Sequence, residues 1–295
     1  MRRVFGAFAL TVIVILAAVV TGCATPPPPR SGGEMLLAVL DVGQGDCILV
    51  RSPSGRTMMV DGSHDRGDVE RAVLPYLESQ GISSLDYLVL THPDQDHVGG
   101  MPALLEAVRV DAFVDAAPPG QTNQSYLRTL QLVRSKGIEA IKARRDQTSI
   151  DLGAETRVEV LGPEDPLLRG ESADNDNSVV LRITYGSVSA LLTGDLERDG
   201  ERRILSHATD IRSQILKVSH HGSQGATSAD FLAAVDPEVA IISVGAGNQY
   251  GHPHRQMLQR LELRKVDIYR TDLQGTIQVT IDGRGYRVEP QRQGG

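Results

Sequence analysis

The chain has 295 residues, of which 40% are hydrophobic and 23% charged, and its formal net charge is −7. These ordinary globular values exclude a collagen-like, coiled-coil or wholly disordered protein, and the chain lacks the repeated apolar spans of a polytopic membrane protein. The acidic balance argues against DNA binding through charge alone. An aromatic fraction of 4% without tryptophan argues against a stacking platform for single-stranded nucleic acid.

The chain begins with a predicted targeting segment. Two arginines precede the uncharged residues 4–20, which is typical of a secretory signal peptide. Because Cys23 directly follows a Thr-Gly pair, we predict a lipoprotein signal over residues 1–22, with cleavage before Cys23 and a lipid on its thiol. A plain anchor helix with an incidental cysteine is the alternative.

Residues 23–34 are predicted to be a tether that contains the lipidated cysteine. A run of prolines is followed by a Ser-Gly-Gly run, and such a stiff and then flexible segment suits a domain held away from a membrane. Residues 35–290 are then predicted to be one domain on the extracytoplasmic side of the membrane, anchored through the lipid at Cys23.

From Met35 onward, short β-like runs alternate with helical patterns. Strands are expected at 36–42, 46–50, 57–60, 85–90, 157–161, 179–185, 188–192, 215–218, 239–244, 267–269 and 275–281. Helices are expected at 69–79, 101–108, 126–134, 197–205, 228–235 and 254–263. Each half starts with strands and continues with helix-strand alternation, which predicts an α/β fold of two packed sheets with helices outside.

The strongest functional signal directly follows the strand at 85–90. His92, Asp94, Asp96 and His97 place four ligand-type groups within six residues. Alternate side chains of an extended segment point the same way, so the first three can converge, and His97 can serve a second metal ion. Mixed imidazole and carboxylate ligands suit Zn²⁺ or Mn²⁺. The two glycines after Val98 would let the chain turn into a helix whose N-terminus favours an anion.

Other polar groups follow other predicted strands. Asp195 ends a strand after Thr-Gly, where one carboxylate could bridge two metal ions, although an acid after glycine is often only a turn. His220 and His221 follow the strand at 215–218, and paired histidines there predict a metal-binding or catalytic role. His252 lies in a loop that could place it on a substrate oxyanion.

These motifs together resemble the metallo-β-lactamase superfamily, through His92-Pro-Asp94-Gln-Asp96-His97, Thr193-Gly194-Asp195 and His220-His221-Gly222-Ser223. More narrowly, they resemble the extracytoplasmic hydrolase domain of ComEC competence proteins, through Leu40-Asp41-Val42-Gly43-Gln44-Gly45-Asp46, Asn177-Ser178 and Tyr250-Gly251-His252-Pro253. The chain would be a free-standing form of that domain, without the membrane channel.

The resemblance implies an αββα sandwich of two mixed β-sheets with outer helices, and two divalent ions, Zn²⁺ or Mn²⁺, at one edge of the sheets. The implied ligands are His92, Asp94, Asp96, His97, Asp195, His220 and His221. The first two would bind one ion, the next two would bind the other, and Asp195 would bridge them. His220 or His221 would complete a site, and His220 is the preferred choice.

The chain also departs from the superfamily pattern. Asp94 stands where a histidine is usual, and no histidine occurs between His97 and His207, so that Asn177 could take the place of a missing ligand. The oxygen-rich first site favours Mn²⁺ over Zn²⁺. Candidate residues that would support the ligands from behind or contact substrate are Gln44, Asp46, Asp61, Asn177 and Ser178.

The implied function is an extracytoplasmic metal-dependent hydrolase, namely a phosphodiesterase or nuclease acting on DNA. A metal-bridged hydroxide would attack phosphorus in line, and Asp96, His252 and Lys217 are the candidate catalytic residues. Another substrate class is an alternative: a lactone, a phosphorylated small molecule or wall polymer, or, least well supported, a β-lactam. A non-catalytic accessory protein for DNA uptake is the other alternative.

Overall fold

The structure, a computed structural model, describes Met1, residues 33–207 and residues 209–292. The predicted signal peptide, the lipidation site and most of the tether lie outside these residues. The described domain falls within one compact unit, Gly32–Gly295. No helix in the described part of the chain is long and apolar enough to span a bilayer.

Eight strands form the first sheet, in the order β14-β13-β1-β2-β3-β4-β5-β6. Pairing is parallel from β3 to β6 and antiparallel elsewhere in this sheet. The strands are β1 Met35–Val39, β2 Ile48–Arg51, β3 Thr57–Val60, β4 Ser84–Val89, β5 Arg109–Asp115, β6 Glu139–Lys142, β13 Ile277–Ile281 and β14 Tyr286–Pro290.

Six strands form the second sheet, in the order β12-β11-β10-β9-β8-β7. Pairing is parallel from β12 to β9 and antiparallel from β9 to β7, so both sheets are mixed. The strands are β7 Thr156–Gly162, β8 Val180–Tyr185, β9 Val188–Leu192, β10 Ile215–Lys217, β11 Val239–Ile242 and β12 Asp267–Arg270.

The helices connect these strands. They are α1 Arg66–Asp68, α2 Leu74–Ser79, α3 Gln95–Val98, α4 Met101–Ala107, α5 Gln124–Lys136, α6 Ala173–Asp176, α7 Arg198–Leu205, α8 Ala229–Val235, α9 Arg255–Leu263 and α10 Thr271–Gln274. A π-helical segment, Val69–Val73, joins α1 to α2. The long helix α5 begins where Asn123 accepts hydrogen bonds from the next turn and ends at the left-handed Gly137.

Alternation along β1 sets the two faces of the first sheet. Leu37 and Val39 belong to the apolar cluster that both sheets share, whereas Leu36 and Ala38 belong to a second cluster that includes Leu104 of α4. All of these side chains are nearly or fully buried. Side chains of a strand alternate between faces, so one strand contributes to two apolar layers.

The second sheet has the same arrangement. Leu181 of β8 faces the shared cluster, whereas Val180 belongs to a third cluster with Phe231 of α8 and Met257 of α9. The molecule therefore has helix, sheet, sheet and helix layers, and the expected αββα sandwich is confirmed.

Candidate metal centre

Three loops bring the sequence motifs to one place, and each loop follows the carboxyl end of a parallel strand. Residues 91–98 follow β4 of the first sheet, residues 193–195 follow β9, and a 3₁₀ turn, Ser219–Gly222, lies beyond β10 of the second sheet. Ligand sites form at such strand ends because several loops converge there. The site therefore draws its side chains from both sheets.

The buried Asp195 lies at the middle of the cluster. Its Oδ1 is 3.2 Å from Nε2 of His97, and its Oδ2 is 3.5 Å from His221, 3.7 Å from His220 and 4.0 Å from His92, at Nε2 in each case. A single carboxylate thus faces four imidazoles. This is the position expected of a bridging ligand.

Buried acceptors orient the first two histidines. Thr91 donates its backbone N–H and its hydroxyl to Asp61, each at 2.8 Å, and that hydroxyl accepts from Nδ1 of His92 at 3.0 Å. Nδ1 of His97 donates to Oδ2 of Asp61 at 2.8 Å, the same oxygen that accepts from the Thr91 hydroxyl. Both rings therefore point Nε2 at the centre, and Asp61 supports the ligands from behind, where the sequence placed it.

The paired histidines are oriented in the same sense by different partners. Nδ1 of His221 donates to the carbonyl of Ser243, and Nδ1 of His220 donates to Glu197, each at 2.9 Å. Both histidines have positive φ angles, 49° for His220 and 51° for His221, a conformation that is uncommon for non-glycine residues.

The preference for His220 over His221 needs correction. His221 is buried and its Nε2 approaches Oδ2 of Asp96 at 3.2 Å as well as Asp195, whereas the His220 side chain is 26% exposed and approaches Asp195 alone among the candidate carboxylates. The geometry thus favours His221 as the ligand next to Asp96. His220 lies at the rim of the same cluster.

The two outer carboxylates lie on different sides of the centre. Oδ2 of Asp94 is 3.6 Å from Nε2 of His92, and Asp94 is half exposed, whereas Asp96 is 22% exposed and lies beside His221. His97 belongs to three compact groups of potential ligands in the described chain: one with His92 and Asp195, one with Asp96 and His221, and one with Asp46 and Asp61 behind it. Assignment of His97 to a single ion, as the sequence implied, is therefore too simple.

The donor atoms fit divalent metal ions. Within the described part of the chain, four buried atoms of the cluster have no hydrogen-bonding partner: Nε2 of His92, His97 and His221, and Oδ1 of Asp195. Leaving such atoms unpaired costs about 1–3 kcal/mol each, and more when they are charged. Their convergence on one space, with mixed imidazole and carboxylate chemistry, is the arrangement that a metal would satisfy.

The pKa shifts of the buried carboxylate and imidazole groups agree with a cluster of closely placed opposite charges. Burial alone would raise the pKa of Asp195, but the imidazoles of His221, His97 and His92 lower it well below its usual range. Burial would lower the pKa of His97, but the charges of Asp195 and Asp61 raise it well above its usual range. The carboxylate stays ionised at neutral pH, and metal binding would displace protons from the site.

Lys217 requires a second correction. Its side chain is buried and forms an ion pair with the buried Asp46, and its ammonium also lies 3.5 Å from the carbonyl of Gly194. A lysine enclosed in this way cannot reach a substrate at the surface. Lys217 and Asp46 therefore support the cluster from behind, since Asp46 is also 3.6 Å from Nδ1 of His221.

Asn177 does not take the place of a missing metal ligand, as the sequence suggested it could. The amide of Asn177 accepts from the backbone N–H of Leu168 at 2.8 Å and donates to the carbonyls of Leu168 at 2.9 Å and Ala173 at 2.6 Å. An amide used in this way holds a loop and is not free to bind a metal or substrate. Ser178 is fully buried, which argues against contact with substrate and leaves its other predicted role, support of the ligands from behind, as a prediction.

The glycines of two motifs allow close packing of the loops. A Cβ at Gly45 would lie 2.1 Å from the carbonyl oxygen of Asp96, and one at Gly100 would lie 2.0 Å from that of Gly62. Gly45 also has a φ of 122°. As expected, the chain turns into a helix after Gly99 and Gly100, since Gly100 precedes the first residue of α4, and Gly100 also permits this close backbone approach.

His252 lies at the open side of the cluster. Its ring centre is 5.6 Å from that of His220 and 6.4 Å from that of His221, and its Nδ1 is among the buried atoms without a partner in the described chain. Burial, and then the charges of His220, His221 and His254, lower its pKa to about 4. This imidazole is therefore neutral at neutral pH.

The sequence did not reveal three supporting groups. Thr91 links Asp61 to His92, Glu197 holds His220, and the Ser243 carbonyl holds His221. Thr91 directly precedes the first motif, which was an available signal. Ser243 acts through its backbone, which no side-chain pattern could show.

The sequence model of the Metallo-beta-lactamase superfamily matches residues 40–246. The chain belongs to this superfamily. The solved metallo-beta-lactamase fold protein YhfI from Bacillus subtilis superposes with a TM-score of 0.53 and 11% identity, over 80% of this chain and 96% of that one. This superfamily member therefore shares its fold with a protein of very different sequence.

Two curated relatives of this superfamily member match most of the chain, and one of them is named as a competence protein. It is 35% identical to ComE operon protein 3 of Bacillus subtilis (strain 168) over 83% of this chain, and 32% identical to competence protein ComA of Neisseria gonorrhoeae over 85%. The chain spans about a third of the length of either relative, 33% in both cases.

Proposed function

We propose that this protein is a metal-dependent phosphodiesterase that hydrolyses DNA. The observation that carries the proposal is the convergence of unpartnered imidazole and carboxylate atoms of His92, His97, His221 and Asp195 beside an open cavity. Superfamily membership supports hydrolysis, and the competence name of the Neisseria relative supports DNA as the substrate.

The residues divide the work of metal binding and substrate contact. His92, Asp94 and Asp195 would hold one divalent ion, and Asp96, His221 and Asp195 a second, with His97 between them. When bound, such ions supply Lewis-acid activation of water and of phosphoryl oxygens. His252, at the open side, would donate a hydrogen bond to a phosphoryl oxygen.

The test is hydrolysis by residues 32–295, which form one compact unit. The protein is stripped of metal with a chelator, and Mn²⁺ or Zn²⁺ is added back with linear DNA or bis(p-nitrophenyl) phosphate as substrate. We expect metal-dependent cleavage of DNA that Asp195→Ala abolishes together with metal binding. The control variant Asp151→Ala, at a side chain that is 66% exposed, should keep both.

Other results would indicate a different substrate or a different function. Cleavage of the small diester but not of DNA would indicate a different phosphodiester, such as a phosphorylated small molecule or wall polymer. Retention of bound metal with no cleavage of either substrate would contradict the phosphodiesterase and leave the lactone-hydrolase and accessory-protein alternatives.

We also propose that the protein is a lipoprotein held outside the cytoplasm, with Cys23 as the lipidated residue. The basic, apolar and Thr-Gly-Cys order of the first residues supports this proposal. Metabolic labelling with a radioactive fatty acid should mark the full-length protein and not Cys23→Ser. Labelling of the serine variant would contradict it.

A further inference from the structure

A cavity of about 470 Å³ lies beside the candidate metal centre. Asp96, which lies next to His221, lines it, so the cavity and the metal centre share a wall. We call this space the side cavity. It falls within the range of roughly 300–1,000 Å³ typical of pockets that hold small ligands.

Four of the twelve residues that line the side cavity carry amides, and they are Gln44, Gln95, Asn248 and Gln249. The amides of Gln95 and Asn248 are already hydrogen-bonded within the protein at both their nitrogen and their oxygen. Gln249 and the Nε2 of Gln44 are the amide groups available to the edge of a heterocycle.

Tyr250 provides an aromatic surface in the same cavity. Its side chain is 54% exposed, and it is the one aromatic residue among the exposed large hydrophobic residues of the described chain. Its ring stacks on that of His252, with centres 5.7 Å apart and planes at 24°. The exposed area of a ring supported in this way is available for stacking with another planar group.

Asn248 fixes the loop that carries Tyr250. Its Oδ1 accepts from the backbone N–H groups of Tyr250 at 3.2 Å and His252 at 3.0 Å, and its Nδ2 donates to the carbonyls of Gly245 at 3.0 Å and His252 at 2.6 Å. The ring is therefore held in place before any ligand arrives. A fixed contact surface binds with less loss of conformational entropy.

The charges in the side cavity disfavour a phosphate group there. Asp65, Asp68 and Asp96 contribute carboxylates, and the one arginine of the lining, Arg71, is paired with Asp68 at 2.7 Å. Like charges repel, so the cavity would exclude a second phosphate and accept a neutral part of the substrate.

We propose that the side cavity binds one unpaired nucleobase, stacked on Tyr250, while the adjoining phosphodiester lies at the metal centre. This inference rests on the proposed function and adds the substrate class, which is single-stranded or frayed DNA. A base can enter such a cavity only after it leaves the duplex stack. The composition argued against an extended stacking platform, and the structure offers a surface for a single base.

The first test compares an ordinary single-stranded oligonucleotide with an abasic strand of the same length, which has the diesters but no bases. The wild type should prefer the ordinary strand in kcat/KM. Tyr250→Ala should reduce this preference by about 5- to 150-fold, the worth of one stacked base. Tyr250→Phe, which keeps the ring, should retain the preference, as should the remote exposed control Leu273→Ala. An equal preference in wild type and Tyr250→Ala would overturn the proposal.

The second test separates the base site from catalysis. Thymidine 5′-monophosphate and deoxyribose 5-phosphate are titrated calorimetrically into the Mn²⁺-loaded protein. We expect tighter binding of the nucleotide by the wild type and a loss of that difference in Tyr250→Ala. If the protein cleaves no diester but the difference is present, the base site stands while the proposed nuclease fails. If the wild type shows no difference, the base site is wrong even where DNA is cleaved.

Discussion

The carboxylate of Asp61 lies behind His97 and decides which imidazole nitrogen faces the centre. It accepts from Nδ1 of His97 and from both donors of Thr91, so Nε2 of His97 is left toward Asp195. A carboxylate in this position fixes the tautomer and raises the basicity of the ligand. Asp61 is not a candidate ligand itself, but it thereby controls the orientation of the candidate ligand His97.

We predict that Asp61→Asn weakens divalent metal binding by about 10- to 100-fold, because a neutral amide cannot match the carboxylate behind the imidazole. The measurement is a metal titration in competition with a chromophoric chelator. Asp151→Asn, which changes an exposed carboxylate, serves as the control. Unchanged affinity in Asp61→Asn would show that His97 needs no such support.

The sequence could not decide which of the two paired histidines is the better candidate ligand. The sequence identified the motif, but His220 and His221 are neighbours of identical chemistry. Their left-handed backbone and the Ser243 carbonyl decide which ring is buried against Asp96. Contacts of that kind come from segments distant in the chain, so spacing within the motif could not reveal them.

At the scale of elements, Asn177 holds the segment between β7 and α6. Its three hydrogen bonds to Leu168 and Ala173 fix the backbone of this segment, which has no helix or strand of its own. We predict that Asn177→Ala lowers the free energy of unfolding by about 1–3 kcal/mol, because three hydrogen bonds to partly buried backbone groups of the loop are lost.

The same variant should keep its metal stoichiometry, measured by elemental analysis after dialysis. A lost metal ion with unchanged urea unfolding would instead restore Asn177 as a ligand. The two readouts together separate a loop-holding residue from a metal-binding one.

The parallel pair β3 and β4 depends on a carboxylate at its start. Asp86 accepts from the backbone N–H of Thr57 at 2.8 Å and from Arg56 at 3.2 Å. Burial would raise its pKa, but these hydrogen bonds lower it below the ordinary value of 3.8. A lowered pKa contributes stability that is complete above the unfolded value and is lost as pH falls through the folded value.

We therefore predict that Asp86→Asn costs about 1 kcal/mol of unfolding free energy near neutral pH, and that the difference from wild type shrinks from roughly pH 5 downward. Urea unfolding in the presence of a chelator, repeated across that range, measures the difference. A gap between the two proteins that widens in acid would contradict the direction of the shift.

Prediction of the elements succeeded where apolar residues alone decide them. The strand at 188–192 has the predicted bounds, and its five residues are all buried. The edge strands β6 and β14 were missed, because their exposed and half-buried residues carry no apolar run and their backbones are ordered by pairing with β5 and β13. The more buried β5 was also missed, because exposed polar residues interrupt its start.

At the scale of the molecule, the ion pair of Asp46 and Lys217 joins the two halves of the sandwich. Asp46 lies in the loop between β1 and β2 of the first sheet, and Lys217 ends β10 of the second. Both side chains are 1% exposed. Charges taken this far from water are tolerable only as a pair.

We predict that Lys217→Met lowers the free energy of unfolding by about 3–5 kcal/mol, because Asp46 is left as an unpaired buried charge. The double variant Asp46→Asn with Lys217→Met should recover part of the loss. Urea unfolding under chelating conditions measures both. Arg264→Met, which breaks the exposed pair with Asp236, should cost about 0–1 kcal/mol. Equal losses at the two pairs would contradict this assignment.

The candidate ligands follow strands of both sheets. Those of the first sheet come from the segment after β4 that includes α3, and they are His92, Asp94, Asp96 and His97. Those of the second sheet come from the segments after β9 and β10, and they are Asp195, His220 and His221. An ion bound there would have no equivalent site in the unfolded chain. A ligand at a hundredfold excess over its Kd adds about 2.7 kcal/mol to stability. The free-ion concentration would then control two outcomes together, the rate of hydrolysis and the time for which the chain resists proteases. When metal is scarce, the protein would therefore lose activity and would also be degraded by proteases sooner.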